Sequence, residues 1–216
     1  ITALLLGVTK TTHAQSIKLE RLPTETLNIT APSERVTGTP GNMTFSNRDC
    51  RSYPVTESRS RIVNTAVQEW AYFGFGIQDQ TLTTVSGESA PRERRRRPRM
   101  SSEEAARVAD SIAGYWSATP DSGWILQRQN ESWNSRGVTS RWRTPWSAAF
   151  ISWVMCENGL GEPGHFERAI AHHTYIDQAI LAREQGDPNT AFMAYDPGEM
   201  PVAPGDGWGF AVGTGH

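Results

Sequence analysis

Residues 144–159 read TPWSAAFISWVMCENG, and Ser147 is the residue there that could do chemistry. Thr144 suits a helix N-cap, Pro145 suits the first helical position, and Asn158-Gly159 supplies a C-terminal stop. Ser147 then falls in the first turn, where backbone amides lack intrahelical partners and the helix dipole is positive. Such a position stabilises a thiolate or an oxyanion. Ala148 and Ala149 are small, which would let a substrate approach closely. A serine hydroxyl is far less acidic than a thiol, and a helix terminus cannot ionise it. Ser147 therefore needs a general base within hydrogen-bond reach to act as a nucleophile. The plainer alternative is that Ser147 only caps or packs the helix start.

Histidines supply the candidate bases. His172 and His173 precede Tyr175, Ile176, Ala179 and Ile180 on a helix expected over about 166–184 and ended by Gly186-Asp187-Pro188, so one of them can line a groove or simply cap the helix. His165, beside Pro163 and Gly164, reads as loop. Cys156 lies nine residues after Ser147, half a turn past two full turns, and so projects from the opposite face. It also sits at the negative end of the helix, which disfavours a thiolate. Cys50 and Cys156 could pair in an oxidising periplasm, but Cys50 lies in a loop-like stretch and Cys156 in an apolar helical pattern, so unpaired thiols are the favoured reading. No CxxC or HExxH spacing occurs, and neither a metal nor a cofactor is expected.

The elements that must position these residues follow from periodicity. Ile62, Val63, Ala66, Val67, Trp70 and Phe73 recur at helical spacing and predict a helix with an aromatic-rich buried face, ended by Gly74 and Gly76. Ser101 and Glu104 have capping-box spacing ahead of the stripe Val108, Ile112, Tyr115 and Trp116, which Thr119-Pro120-Asp121 stops. Residues 121–143, with Trp124, Trp133 and Trp142, read as a long loop held by aromatic anchors. Residues 190–195 read as a short strand or helical turn.

The 216 residues suffice for one domain with a core, plus a tail. Hydrophobic residues at 37% and a net charge of −2 point to no nucleic-acid or membrane partner. The eight tryptophans fit core packing better than a ligand groove. Ile1 to Val8 is apolar but too short to span a bilayer, and Thr12-His13-Ala14 has the small residues of an export-signal cleavage site. Residues 1–14 are thus read as the remnant of a signal peptide, 15–57 as a flexible polar arm, and 58–216 as the folded domain. The arginines among residues 92–99 read as a solvated loop rather than a polyanion site.

Several ordered motifs across about 150 residues resemble the bacterial domain of unknown function 2272. They are Arg61-Ile62-Val63, Glu69-Trp70, Phe73-Gly74, Tyr115-Trp116, the helix at 145–155, His172 with Tyr175-Ile176, and Pro204-Gly205-Asp206. Pro145-Trp146-Ser147-Ala148-Ala149-Phe150-Ile151, followed by Trp153, is also similar to the nucleophile helix of NlpC-like and CHAP-like papain-fold hydrolases, with serine at the cysteine position. That resemblance implies an α+β, papain-like domain whose helical half is well represented and whose sheet is truncated at the C-terminus. It implies Ser147 as nucleophile and a histidine base, either His172 or, after the Pro204-Gly205-Asp206 turn, His216. Trp146, Ala148 and Tyr175 would contact substrate, with amides near Ala148 as oxyanion donors. The expectation is an exported, periplasmic hydrolase of amide or ester bonds, with peptidoglycan or its peptides as partner and no membrane-spanning segment. The alternatives are a catalytically silent wall- or protein-binding domain of the same fold, and an envelope scaffold that uses the arginine run.

Overall fold

Val108, Ile112, Tyr115 and Trp116 fall on one face of a helix, and burying that face organises the rest of the chain. A computed structural model describes residues 18–54, 57–76, 101–138 and 142–206. The elements in order are α1 (Thr24–Leu27), a 3-10 turn (Pro32–Arg35), β1 (Val36–Thr37), β2 (Thr44–Phe45), α2 (Ser58–Tyr72), α3 (Ser102–Ser117), α4 (Gly123–Arg136), α5 (Ser147–Glu157) and α6 (His172–Gln185). β1 and β2 pair antiparallel, with Val36 opposite Phe45 and Thr37 opposite Thr44. The leader reading at 1–14, the arginines of 92–99 and His216 all lie outside the described residues. Among the described residues no helix is long and apolar enough to cross a membrane.

Helix α3 is the hub. Ser101 caps it by accepting the Glu104 N–H at 3.1 Å. The Glu104 carboxylate, rather than closing a capping box, turns to Arg107 at 2.9 Å and Lys18 at 2.6 Å. Tyr115 and Trp116 are buried in one cluster with Trp153 of α5, a more apolar helix. Gly114 lets the 3-10 turn lie directly on α3, since a Cβ there would meet the Pro32 carbonyl oxygen at 1.8 Å.

Four expectations need correction. Residues 123–136 form a helix rather than part of a loop, because Ile125, Leu126, Gln129 and Trp133 make a buried 3.6-residue stripe in which Gln129 accepts the Arg143 N–H. Trp133 is buried, but Trp124 is exposed and anchors nothing. On α2 the buried face carries Ile62, Thr65, Glu69 and Tyr72, while Val67 and Trp70 are 47% and 44% exposed. Polar partners turn the helix that way: Thr65 bonds Asn158, and Glu69 pairs with Arg21 at 2.5 Å. Residues 18–54 of the expected arm are packed rather than loose. Ile29, Val36 and Met43 are buried, and Arg35 is buried against Glu157 at 2.5 Å. Finally, Cys50 and Cys156 form a disulfide across 106 residues of sequence. The arm brings Cys50 onto the end of α5, a proximity that separation in sequence hid.

Arg35→Ala would leave the Glu157 carboxylate buried with only the more distant Arg51, at 3.3 Å, as a cation. Breaking a buried pair from one side costs about 3–5 kcal/mol, so the urea midpoint should fall accordingly. Acid sensitivity has a second source. Arg107, helped by Lys18, holds the Glu104 carboxyl down to about 2 against burial. A depressed carboxylate stabilises the fold above its unfolded value near 4.5, and that contribution is lost as pH falls through 2. Urea midpoints measured across this window should decline less in Glu104→Gln than in the native protein.

Candidate active site

Helix α5 begins at Ser147, two residues later than the Pro145 start expected from sequence. Trp146 holds the N-cap position without a side-chain cap, since an indole offers no acceptor to the first amides, and its ring stacks on Phe73 at 5.6 Å and Tyr115 at 5.7 Å. The first helical hydrogen bond runs from the Phe150 N–H to the Trp146 carbonyl, so the amides of residues 147–149 precede the ladder. Ser147 is exposed. Its hydroxyl does not cap α5; it lies 2.7 Å from Nε2 of His172.

His172 is itself the first residue of a helix, α6, and is exposed. Two positive helix termini therefore meet at this hydrogen bond. The helix starts at 172 rather than near 166 because the segment before it is pinned in a non-helical path. The Ala169 N–H donates to Ser152 Oγ at 3.1 Å, and the Ser152 hydroxyl donates to the Ala169 carbonyl at 3.2 Å. Arg168 adds bonds to the Gly161 and Ala118 carbonyls. Ser152 is fully buried within α5, so the helix that begins at Ser147 itself sets where His172 stands.

The other imidazole nitrogen, Nδ1, hydrogen-bonds the Tyr175 hydroxyl. Positions 172 and 175 are three apart on a helix and so share a face. That spacing was legible in the sequence, where Tyr175 was expected to touch substrate; in the structure its hydroxyl is engaged with His172. The Tyr175 ring stacks on buried Phe166 at 4.9 Å. Burial pushes its phenol up to about 12, so it is neutral at physiological pH. Two tautomers are compatible with this chain of bonds. If Nδ1–H donates to the phenolic oxygen, Nε2 accepts from Ser147 and can serve as base. If the phenol donates to Nδ1, Nε2 carries the proton and cannot.

The remaining predicted site residues separate. Ala148 is 2% exposed and faces the core, so neither its methyl nor its amide is open to a ligand, whereas Ser147 before it is exposed. His173 lines a hollow of about 480 Å³ with Glu167, Asp177 and Asp187, and neither Ser147 nor His172 lines it. His165 is in the loop before α6. Asp206 accepts the Ala203 N–H and pairs with Arg59 at 2.6 Å, near the start of α2. Phe73 near the end of α2 meets Trp146, while Thr65 in its middle meets Asn158, so Asp206 sits at the opposite end of the α2–α5 pair from Ser147. Among the described residues no group of three or more His, Cys, Asp or Glu side chains could hold a metal.

The class defined so far is a helical domain with an exposed serine–histidine pair set between two helix termini. The model of a family of uncharacterized proteins conserved in bacteria, DUF2272, matches residues 103–213, slightly over half of the chain, and the protein belongs to that family. No curated protein and no solved structure matches it.

The phenol gives this site a pH signature. A raised tyrosine stabilises the fold below its unfolded value of 10.0, and that contribution is lost as pH rises through about 12. Thermal melts between these limits should decline less steeply in Tyr175→Phe. Part of the decline should persist in that variant, since burial also raises Tyr115.

Proposed function

We propose that the protein is a hydrolase of amide or ester bonds, with Ser147 as nucleophile and His172 as general base. The carrying observation is the 2.7 Å contact between an exposed serine hydroxyl and an imidazole nitrogen. In this reading His172 Nε2 takes the hydroxyl proton as Ser147 Oγ attacks the carbonyl carbon. The Ser147 amide, ahead of the helical ladder, meets the developing oxyanion. The imidazolium then protonates the leaving amine or alcohol, and water activated by the same imidazole releases the acyl group. In this reading the Tyr175 oxygen accepts a hydrogen bond from Nδ1–H, which leaves Nε2 as the acceptor.

The substrate reading is peptidoglycan peptides, and the compartment is the bacterial periplasm. A disulfide between Cys50 and Cys156 supports an oxidising location. The serine helix and the Pro204-Gly205-Asp206 turn support a papain-like, NlpC- or CHAP-related ancestry.

A second reading is favoured by one feature. The group behind His172 is a neutral phenol, not a carboxylate, so it offers no full charge to balance an imidazolium. A site of that kind suits a domain that binds wall peptides without cleaving them.

Turnover of defined muropeptides and of nitrophenyl esters separates the two. The hydrolase reading expects product release that falls at least a hundredfold in Ser147→Ala, and about 10²- to 10⁴-fold in His172→Ala. Muropeptide binding with no turnover by the native protein would leave the binding reading. Activity unchanged in Ser147→Ala would remove the nucleophile.

A further inference from the structure

The Cys50–Cys156 disulfide lies in a charged setting that packing alone does not require. Cys156 is fully buried near the end of α5, and Cys50 is half-buried. Two guanidinium groups aim N–H bonds at the Cys156 sulfur, Arg35 Nη2 and Arg168 Nη1, each at 3.8 Å. The Arg35 charge is answered by Glu157 at 2.5 Å. Arg168 is answered by no carboxylate at ion-pair distance among the described residues; its other bonds go to the Gly161 and Ala118 carbonyls. Burial and the nearby Arg35 and Arg48 act against its charge, with Glu162 the one carboxylate that favours it. The Cys156 sulfur thus faces a surplus cation.

Other groups oppose or add to this. The Asp49 carbonyl oxygen is 3.7 Å from the same sulfur and favours a neutral thiol. The C-terminal end of α5 contributes about half a negative charge. Arg51 reaches Glu157, and Arg48 binds the Thr119 carbonyl and Ser122. One uncompensated cation, Arg168, with the N–H of the Glu157-paired Arg35 also directed at the sulfur, outweighs a fractional dipole and one carbonyl.

We propose that Cys50–Cys156 is a thiol–disulfide exchange site, opened from the Cys50 side by a dithiol reductant. A thiolate of the reductant attacks Cys50 Sγ and forms a mixed disulfide. The electron pair of the broken bond leaves on Cys156 Sγ as a thiolate, held by Arg168 and Arg35. The second thiol of the reductant then displaces Cys50, which takes up a proton. Overall the dithiol is oxidised to its disulfide and the protein gains two electrons. A better-stabilised leaving thiolate departs faster, which is why the side with the arginines is the leaving side. Opening the bond removes one tie between residues 46–53 and the end of α5, where the Arg51 N–H still bonds the Cys156 carbonyl. The inference does not depend on the activity of Ser147.

Two measurements on the full chain test it. In Cys50→Ser, the thiolate of Cys156, followed by ultraviolet absorbance against pH, should form well below the ordinary thiol value of about 8.5. In the otherwise native protein, Arg168→Gln should slow reduction by dithiothreitol several-fold, with thiols trapped by alkylation and counted by mass. Titration of Cys156 at or above the ordinary value would overturn the proposal, as would an Arg168→Gln protein that is reduced as fast as the native one. Should Arg168→Gln fail to fold, the Cys50→Ser titration decides alone.

Discussion

One buried hydroxyl fixes the geometry on which the functional reading rests. Ser152, within α5, both donates to and accepts from the Ala169 peptide. Those two bonds hold the chain that leads into α6, and α6 begins at His172. A helix terminus alone gives Ser147 an electropositive setting, but it cannot supply a proton acceptor. The imidazole that meets it comes from a second helix, and its distance is set from inside the first. The pair is thus preorganised by backbone anchoring rather than by a deep pocket.

The same economy recurs at the other end of α5. Glu157 accepts the Thr30 N–H and pairs with Arg35 and Arg51, so three points of the N-terminal segment converge on one carboxylate. The disulfide adds a fourth tie. Such a network stabilises only when complete, because each partner lost leaves a buried charge exposed to its own desolvation cost. Helix α5 is therefore gripped by the arm at its C-terminal end and by the loop before α6 nearer its middle. Its N-terminal turn, packed through Trp146 on Phe73 and Tyr115, is left facing solvent at Ser147.

How much of this the sequence reveals depends on the kind of interaction. The α3 stripe was readable because Val108, Ile112, Tyr115 and Trp116 are apolar at helical spacing and are all buried. On α2 the same logic selected Val67 and Trp70, because the buried face owes its direction to Thr65 and Glu69, polar residues whose partners lie far along the chain. In α4 the tryptophans drew attention away from a period that includes buried Gln129. The packed arm has few apolar residues, and its anchoring by Arg35 and Cys50 depends on contacts more than a hundred residues away. Within the site, Ser147 and His172 were singled out from sequence, and the structure places them in contact. Tyr175 had a readable place three residues after His172 but no readable role, since that role depends on which ring nitrogen faces it. The burial of Ala148 was hidden because a small residue next to a candidate nucleophile can face either way.

The central claim is that His172 makes the Ser147 hydroxyl nucleophilic. Phosphonylation by a fluorophosphonate probe, mapped by peptide mass spectrometry, reads that reactivity without knowledge of the substrate. The account predicts an adduct on Ser147 in the native protein that forms far more slowly in His172→Ala, with other serines unmodified. Absence of an adduct at Ser147, or an adduct that forms as fast without the imidazole, would contradict it.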